Sequence, residues 1–187
     1  MTSRHSDSLM LVWRVAAMEA RNLRNPEIQP HHLFLGLCKV VDLDIPELVA
    51  KDTPKRDEVL EEFLREIRRL REVFQRSSVD PRMLRRKLRN AYGKDSLDII
   101  EAGQLHRSKA SKKIFSMAER LGDLTNFVVF PVHLLHAVLN VDDVKRDSTM
   151  AGMGIDKATL CLIAKKVVFS KETTDVSREA VKKVRLN

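Results

Sequence analysis

Two octets decide how this chain is read: "HHLFLGLC" at His31–Cys38 and "VHLLHAVL" at Val132–Leu139. Each follows a proline (Pro30, Pro131), carries a histidine at its second position (His32, His133) and continues as an aliphatic run. Proline has its φ preset and lacks the N–H that a helix start leaves unused, so each octet predicts a helix that opens on its proline. The histidines pose the functional question. They are either ligands or catalysts, or an echo left by duplication.

Sliding the chain on itself favours duplication. A shift of 101 residues superposes Ala17 on Ala118, Leu23 on Leu124, Asn25 on Asn126, Pro30 on Pro131, His32 on His133 and Leu33 on Leu134, with no gap. Further on, "VDPRML" (Val79–Leu84) superposes on "IDKATL" (Ile155–Leu160) at a shift of 76, so the first copy holds 25 extra residues. Self-similarity of this kind specifies architecture before chemistry.

The spacing of apolar residues makes both copies helical. Leu9, Trp13, Ala16, Ala17, Ala20 and Leu23 recur every three or four positions, with Ser6 or Ser8 available as N-cap. Helices are also expected from Pro30, at about 46–50, from Pro81 behind the cap Asp80, at about 107–121, from Pro131, at about 144–151, and from Asp156 to about Val168. Leu60, Phe63, Ile67, Leu70 and Phe74 form a heptad-like stripe over 57–76, with Glu61–Arg65 and Arg68–Glu72 as opposite charges one turn apart. The expected fold class is all-α: two pseudo-twofold-related four-helix repeats, with an extra helix inserted in the first. The first repeat covers 1–94 with its insertion at about 55–77, the second covers 95–169, and 170–187 is a polar linker or tail. Together they form one domain.

Composition agrees. Only 6 Gly and 6 Pro among 187 residues, with 43% apolar content, suit a folded helical protein. Cys38 and Cys161 lie in apolar runs without metal-type spacing and read as small hydrophobes. The opening "MTSRHSDSLM" lacks a signal-peptide core, and no apolar run approaches the roughly 20 residues of a membrane span; a cytoplasmic protein with no membrane partner is expected. There is no phosphate-binding glycine loop, so the chain is expected to be no enzyme and to need no cofactor.

A helix with spaced alanines, a loop, "-H-L-L-x-A-L-", a short helix and "G-[VI]-D-x-x-x-L", given twice, resembles the N-terminal domain of the Clp-type AAA+ protein unfoldases. The resemblance covers about residues 6–169 and is carried by "HHLFLGL", "VHLLHAVL", "SSVDPRML" and "GMGIDKATL". It implies a pair of helical bundles that binds unfolded protein segments or adaptor proteins for AAA+ ATPase domains, in cis or in trans. Many relatives have a glutamate before each octet histidine, and in some these acids recognise phosphorylated arginine. Here His31 and Val132 stand there, so that specificity does not transfer. Ser6 stands near a helix-opening threonine linked to substrate binding in some relatives; the matching point of the second copy falls near Gln104.

For substrate or adaptor binding the candidates are therefore Ser6, His31 and Val132, with Phe63, Ile67 and Leu70 of the stripe. The stripe either docks a partner helix or packs on its own bundle. His32 and His133 are expected to pin loops. A metal shared by His133, His136 and His31 or His32 would lack completing ligands, so no metal site is expected. Net charge is +8, and the Arg-rich "RMLRRKLRN" would meet phosphates or an acidic protein partner. Nucleic acid is the lesser alternative, because aromatic residues able to stack bases are few.

Overall fold

The computed structural model describes residues 4–93, 105–125 and 128–170. The 94/95 boundary, Gln104 and the tail 171–187 lie outside them. The first half contains β1 (Arg4–His5), α1 (Asp7–Asn22), β2 (Glu27–Ile28), α2 (Pro30–Val40), α3 (Ile45–Leu48), α4 (Arg56–Arg76) and α5 (Pro81–Tyr92). The second contains β3 (His106–Arg107), α6 (Lys109–Thr125), β4 (Val128–Val129), α7 (Pro131–Leu139), α8 (Val144–Gly152) and α9 (Lys157–Val168). Two four-helix sets with one extra helix in the first make the all-α double repeat that the sequence predicts.

The strands were not legible in the sequence, and they tie the halves together. Each is a dipeptide, and each pairs across the dyad: β1 runs parallel to β4, and β2 parallel to β3. The pairing continues into the helix caps. Ser6 N–H donates to the Val129 carbonyl, and Ser108 N–H to the Ile28 carbonyl, both at 3.1 Å. A two-residue strand has no periodicity to read, and its ladder bonds come from the far half of the chain.

The same caps correct the alignment. Ser6 Oγ accepts from Leu9 N–H and Ser108 Oγ from Ser111 N–H, which places the first helices of the copies 102 residues apart. At that spacing Val12 matches Ile114 and Ala16 matches Ala118, all fully buried. The ungapped shift instead pairs Leu23, 5% exposed, with Leu124, 74% exposed; Thr125, at 3%, holds the place of Leu23. From β2 and β4 onward the spacing is 101. The second copy therefore has one residue fewer between matching points of its first helix and of the strand that follows.

The insertion is also placed differently from the expectation at 55–77. Val79 N–H donates to the Phe74 carbonyl and Ile155 N–H to the Met150 carbonyl, both at 2.9 Å. Ser78 (φ 52°) and Gly154 (φ 71°) occupy the left-handed position that closes each helix. Asp80 and Asp156 then cap α5 and α9, each through two backbone N–H groups. The last turns of the 21-residue α4 are thus the counterpart of the 9-residue α8. The extra residues are α3 and the earlier turns of α4, so the stripe belongs partly to the shared frame.

One contiguous apolar core joins the halves. Helix α5 packs on α8, and α4 packs on α9 and α7, so the third helix of each copy lies against the other copy. Ile67, Leu70, Val73 and Phe74 are buried in this crossing. Packing of the stripe on its own bundle alone is thereby corrected: α4 leans on both halves. On its outer side Glu61 pairs with Arg65 (3.0 Å), whereas Glu72 pairs with Arg76 (2.9 Å) rather than Arg68, the orientation with the acid N-terminal.

Ser78 bears a side chain where its counterpart is glycine, at a left-handed cost of about 1–2 kcal/mol partly offset by the greater unfolded-state freedom of glycine. Ser78→Gly is expected to stabilise the fold by about 0.5–1 kcal/mol, read as a higher midpoint in urea unfolding. An unchanged or lower midpoint would show that the closure of α4 is unlike that of α8.

Candidate functional site

Both octet histidines are structural hinges by geometry. The backbone N–H of Gln29 donates to His32 Nδ1 and that of Phe130 to His133 Nδ1, each at 2.9 Å. Each histidine sits three residues past the cap and bonds back to it, as Glu does in a capping box. An N–H donor on Nδ1 leaves the proton on Nε2. His133 Nε2 lies 3.1 Å from Thr125 Oγ1, but His32 Nε2 is buried without a hydrogen-bond partner among the described residues, since Leu23 stands at the place of Thr125. Burial, helped for His32 by neighbouring His31 and for His133 by Arg69 and His136, holds both pKa values down at about 3. With Nδ1 held by the backbone and Nε2 enclosed, neither imidazole presents a free nitrogen at the surface.

At the start of α1, Ser6 is 8% exposed and its Oγ lies 3.1 Å from Ser8 Oγ. Ser8 in turn hydrogen-bonds the Glu66 carboxylate of α4. Burial raises Glu66 to about 7, against the lowering effect of the two serines. The inserted turns of α4 thus bring a carboxylate onto the helix opening and cover the Ser6 candidate.

The remaining candidates separate by exposure. His31 is half-buried and stacks on Tyr92 at 4.0 Å and 14°. The Tyr92 hydroxyl donates to Asp143 (2.6 Å), the cap of α8 in the other copy. Where relatives carry an acid, His31 therefore helps to close the seam between the halves. Val132 is 1% exposed, Ile67 1% and Leu70 0%, and Phe63 is half-buried against the core. Val132, Ile67 and Leu70 are enclosed, which corrects their place among surface candidates: the inner side of the stripe is spent on packing. Phe63 and His31 stay partly open.

The sequence pattern missed the outer face of α1. Met10 (40% exposed), exposed Arg14 and Met18 (60%) follow one another at four-residue spacing along that helix, with half-buried Trp13 and Ala17 beside them. Trp13 had been grouped with the core period. It meets Phe115 of α6 edge-on at 5.9 Å, and the Arg107 guanidinium sits over both rings, 5.4 and 4.7 Å from their centroids. Trp13 and Phe115 occupy matching positions at the 102 spacing, so the pair marks the dyad. His5, beside Phe115, hydrogen-bonds Glu119 at 3.0 Å.

Cys161 and His136 come within 3.6 Å, with Asn140 bonded to both, an association invisible in the separate octet and α9 patterns. The described residues contain no group of three or more His, Cys, Asp or Glu able to hold a metal. No described helix is long and apolar enough to cross a membrane.

Solved structures share this geometry. The Hsp104 N-terminal domain from Candida albicans matches 90% of the chain and 93% of its own, with a TM-score of 0.62 at 14% identity. The chain has the fold of a Clp N-terminal domain. The N-terminal domain of the caseinolytic protease associated chaperone ClpD from Arabidopsis thaliana matches 89% and 96%, with a TM-score of 0.59 at 16% identity. A chain from a malarial protein secretion system matches 91% and 99%, with a TM-score of 0.63 at 13% identity. No protein-family model and no curated protein sequence matches the chain. At such identities the Clp N-domain likeness fixes the fold and leaves each side-chain role to be argued from this chain.

The buried titrating groups give this fold a distinctive acid response. Unfolded histidine protonates near 6.5, so on acidification the unfolded chain takes up protons that the folded chain refuses, and stability falls. Between pH 6.5 and 4.5 each histidine is expected to cost about 2 kcal/mol. Glu66 acts oppositely: between about pH 7 and 4.5 the folded state holds a proton that the unfolded state releases, which favours the fold as pH falls. Thermal unfolding across this range should show a shallower loss in His133→Gln, which keeps an acceptor, and a steeper loss in Glu66→Gln. Parallel profiles for the three proteins would contradict this assignment.

Proposed function

We propose that this chain is a non-catalytic recognition domain that binds apolar segments of client or adaptor proteins and presents them to an AAA+ unfoldase, carried in the same protein or in another. The fold supports the class of protein, a chaperone N-terminal domain. The supporting observation for the binding mode is the outer face of α1, where Met10, Met18 and Trp13 stand together beside the Trp13–Phe115–Arg107 contact at the dyad. Methionine is flexible and polarisable, which suits a surface that must accept many sequences. Trp13, braced from within by buried Phe115, gives a fixed anchor, and Arg107 supplies a charge that holds the edge of an extended segment. Val132, Ile67 and Leu70 have no part in this reading because they are enclosed, and Ser6 has none while Ser8 and Glu66 cover it.

Trp13 is the chain's single tryptophan, so binding reports on itself. Titration with a tryptophan-free peptide of leucine and serine should change Trp13 emission with saturation, and the anisotropy of labelled, reduced and carboxymethylated lactalbumin should rise as it binds. A Met10→Glu/Met18→Glu variant should bind about tenfold or more weakly, since a buried methionine contributes about 1.5–3 kcal/mol, with circular dichroism unchanged. Equal affinity in the variant, or no binding by the wild type, would refute the α1 reading.

A further inference from the structure

Helix α5 carries Arg82, Arg85, Arg86 and Arg89 at successive helical-turn spacing, and they line an open concavity of about 760 Å³. Leu84 and Leu88, on the opposite side of the helix, are buried in the core, so the arginine face is directed outward. Leu23, at the end of α1, and Met83, 43% exposed, give the concavity an apolar patch between the charges.

Two of the four arginines are held in place from behind. Glu19, 2% exposed, accepts from Arg85 Nε at 2.9 Å and again from its Nη2, while Arg89 Nε lies 3.4 Å from the other carboxylate oxygen. The buried carboxylate thus fixes Arg85 by hydrogen bonds through one oxygen and has Arg89 only as an ion pair at the other, which accepts no hydrogen bond among the described residues; both guanidiniums line the concavity. The outer two are more open: Arg82 is 78% exposed with Asp42 at 3.4 Å, and Arg86 has no ion-pair partner among the described residues.

The fold does not call for this arrangement, and the second copy demonstrates it. At the matching positions of α9 stand Ala158, Cys161, Leu162 and Lys165, and Leu121 stands at the place of Glu19. A buried carboxylate tied to two arginines is costly to desolvate and weak evidence of stabilisation. Its presence in one copy alone points to a use for the arginines at the surface.

We infer that the α5 concavity docks an acidic segment of a partner protein, with aspartate or glutamate on the arginines and an aliphatic side chain on Leu23 and Met83. Charge complementarity chooses the occupant: four guanidiniums meet a partner of opposite sign, and planar guanidiniums pair carboxylates through two N–H groups at once. The 12 residues of α5 extend about 18 Å, which an extended segment covers in about six residues. The lining contains no aromatic ring on which a base would stack, and its apolar patch is wasted on a phosphate backbone, so a protein segment fits better than nucleic acid. This face is separate from the α1 strip and does not depend on it.

The test is fluorescence anisotropy with the full chain and a labelled peptide of alternating Asp, Glu and Leu, beside a length-matched lysine peptide and an oligothymidylate. The acidic peptide should bind, the lysine peptide should not, and affinity should fall as salt rises. Arg82→Ala/Arg86→Ala should weaken binding about tenfold at unchanged Tm, because both side chains lie at the surface. Unfolded lactalbumin binding should be unaffected by that variant, which keeps this result distinct from the α1 reading. Absence of peptide binding at low salt, equal affinity in the variant, or tighter binding of the oligothymidylate would each overturn the proposal.

Discussion

The hydrogen bond from a backbone N–H to an imidazole Nδ1, made once by His32 and once by His133, sets the angle at which each dipeptide strand turns into its helix. Everything downstream depends on that turn. The strand before the histidine must reach across the dyad to pair, and the helix after it must carry an almost wholly buried run, Leu33–Cys38 in one copy and Val132–Val138 with one half-buried histidine in the other. A side chain that is fixed to its own cap cannot also turn outward to act as ligand or base. Burial, which depresses both imidazoles, keeps them neutral and therefore able to accept.

From that hinge the two halves become mutually dependent. β1 pairs with β4 and β2 with β3, so among the described residues each strand pair joins one copy to the other. The α5–α8 and α4–α9 packings repeat the exchange at the level of helices. Tyr92, reaching Asp143 while His31 stacks on it, adds a side-chain tie. A lone copy would expose unpaired strand edges together with half a core, so the repeat is a unit of sequence rather than a unit of stability.

Helices were legible because their signals are local: caps at Ser6, Asp80 and Asp156, prolines at first turns, and apolar spacing of three and four. The strand pairs were not, since two residues have no period and their partners lie in the other half. The alignment erred by one residue because leucines and alanines recur in both helices and match at either spacing; burial of Thr125 against exposure of Leu124 decides it. Among candidate residues, the stripe read correctly as apolar but not as enclosed, since sequence does not say which body a face meets. Trp13 packs against the core as its period predicts but is only half-buried, and what the period does not show is that Arg107 and Phe115 hold its outer edge.

The duplication also supplies an internal control on which features the fold requires. What both copies share is apolar packing, helix closure and histidine hinges, and these suffice to build either half. What they do not share is polar: Thr125 on His133 and buried Arg146 bonded to the Val138 and Val141 carbonyls in the second, Glu19 with its two arginines and Glu66 on Ser8 in the first. Arg146 has a partial echo, because Arg71 donates to the Val41 carbonyl at the matching helix end, and so it belongs to the frame. Glu19 and Glu66 have no such echo. Carboxylates that one copy does without, Glu19 buried and Glu66 half-buried, are not explained by the stability of the fold, and both direct attention to the surfaces above them: the opening of α1 and the arginine face of α5.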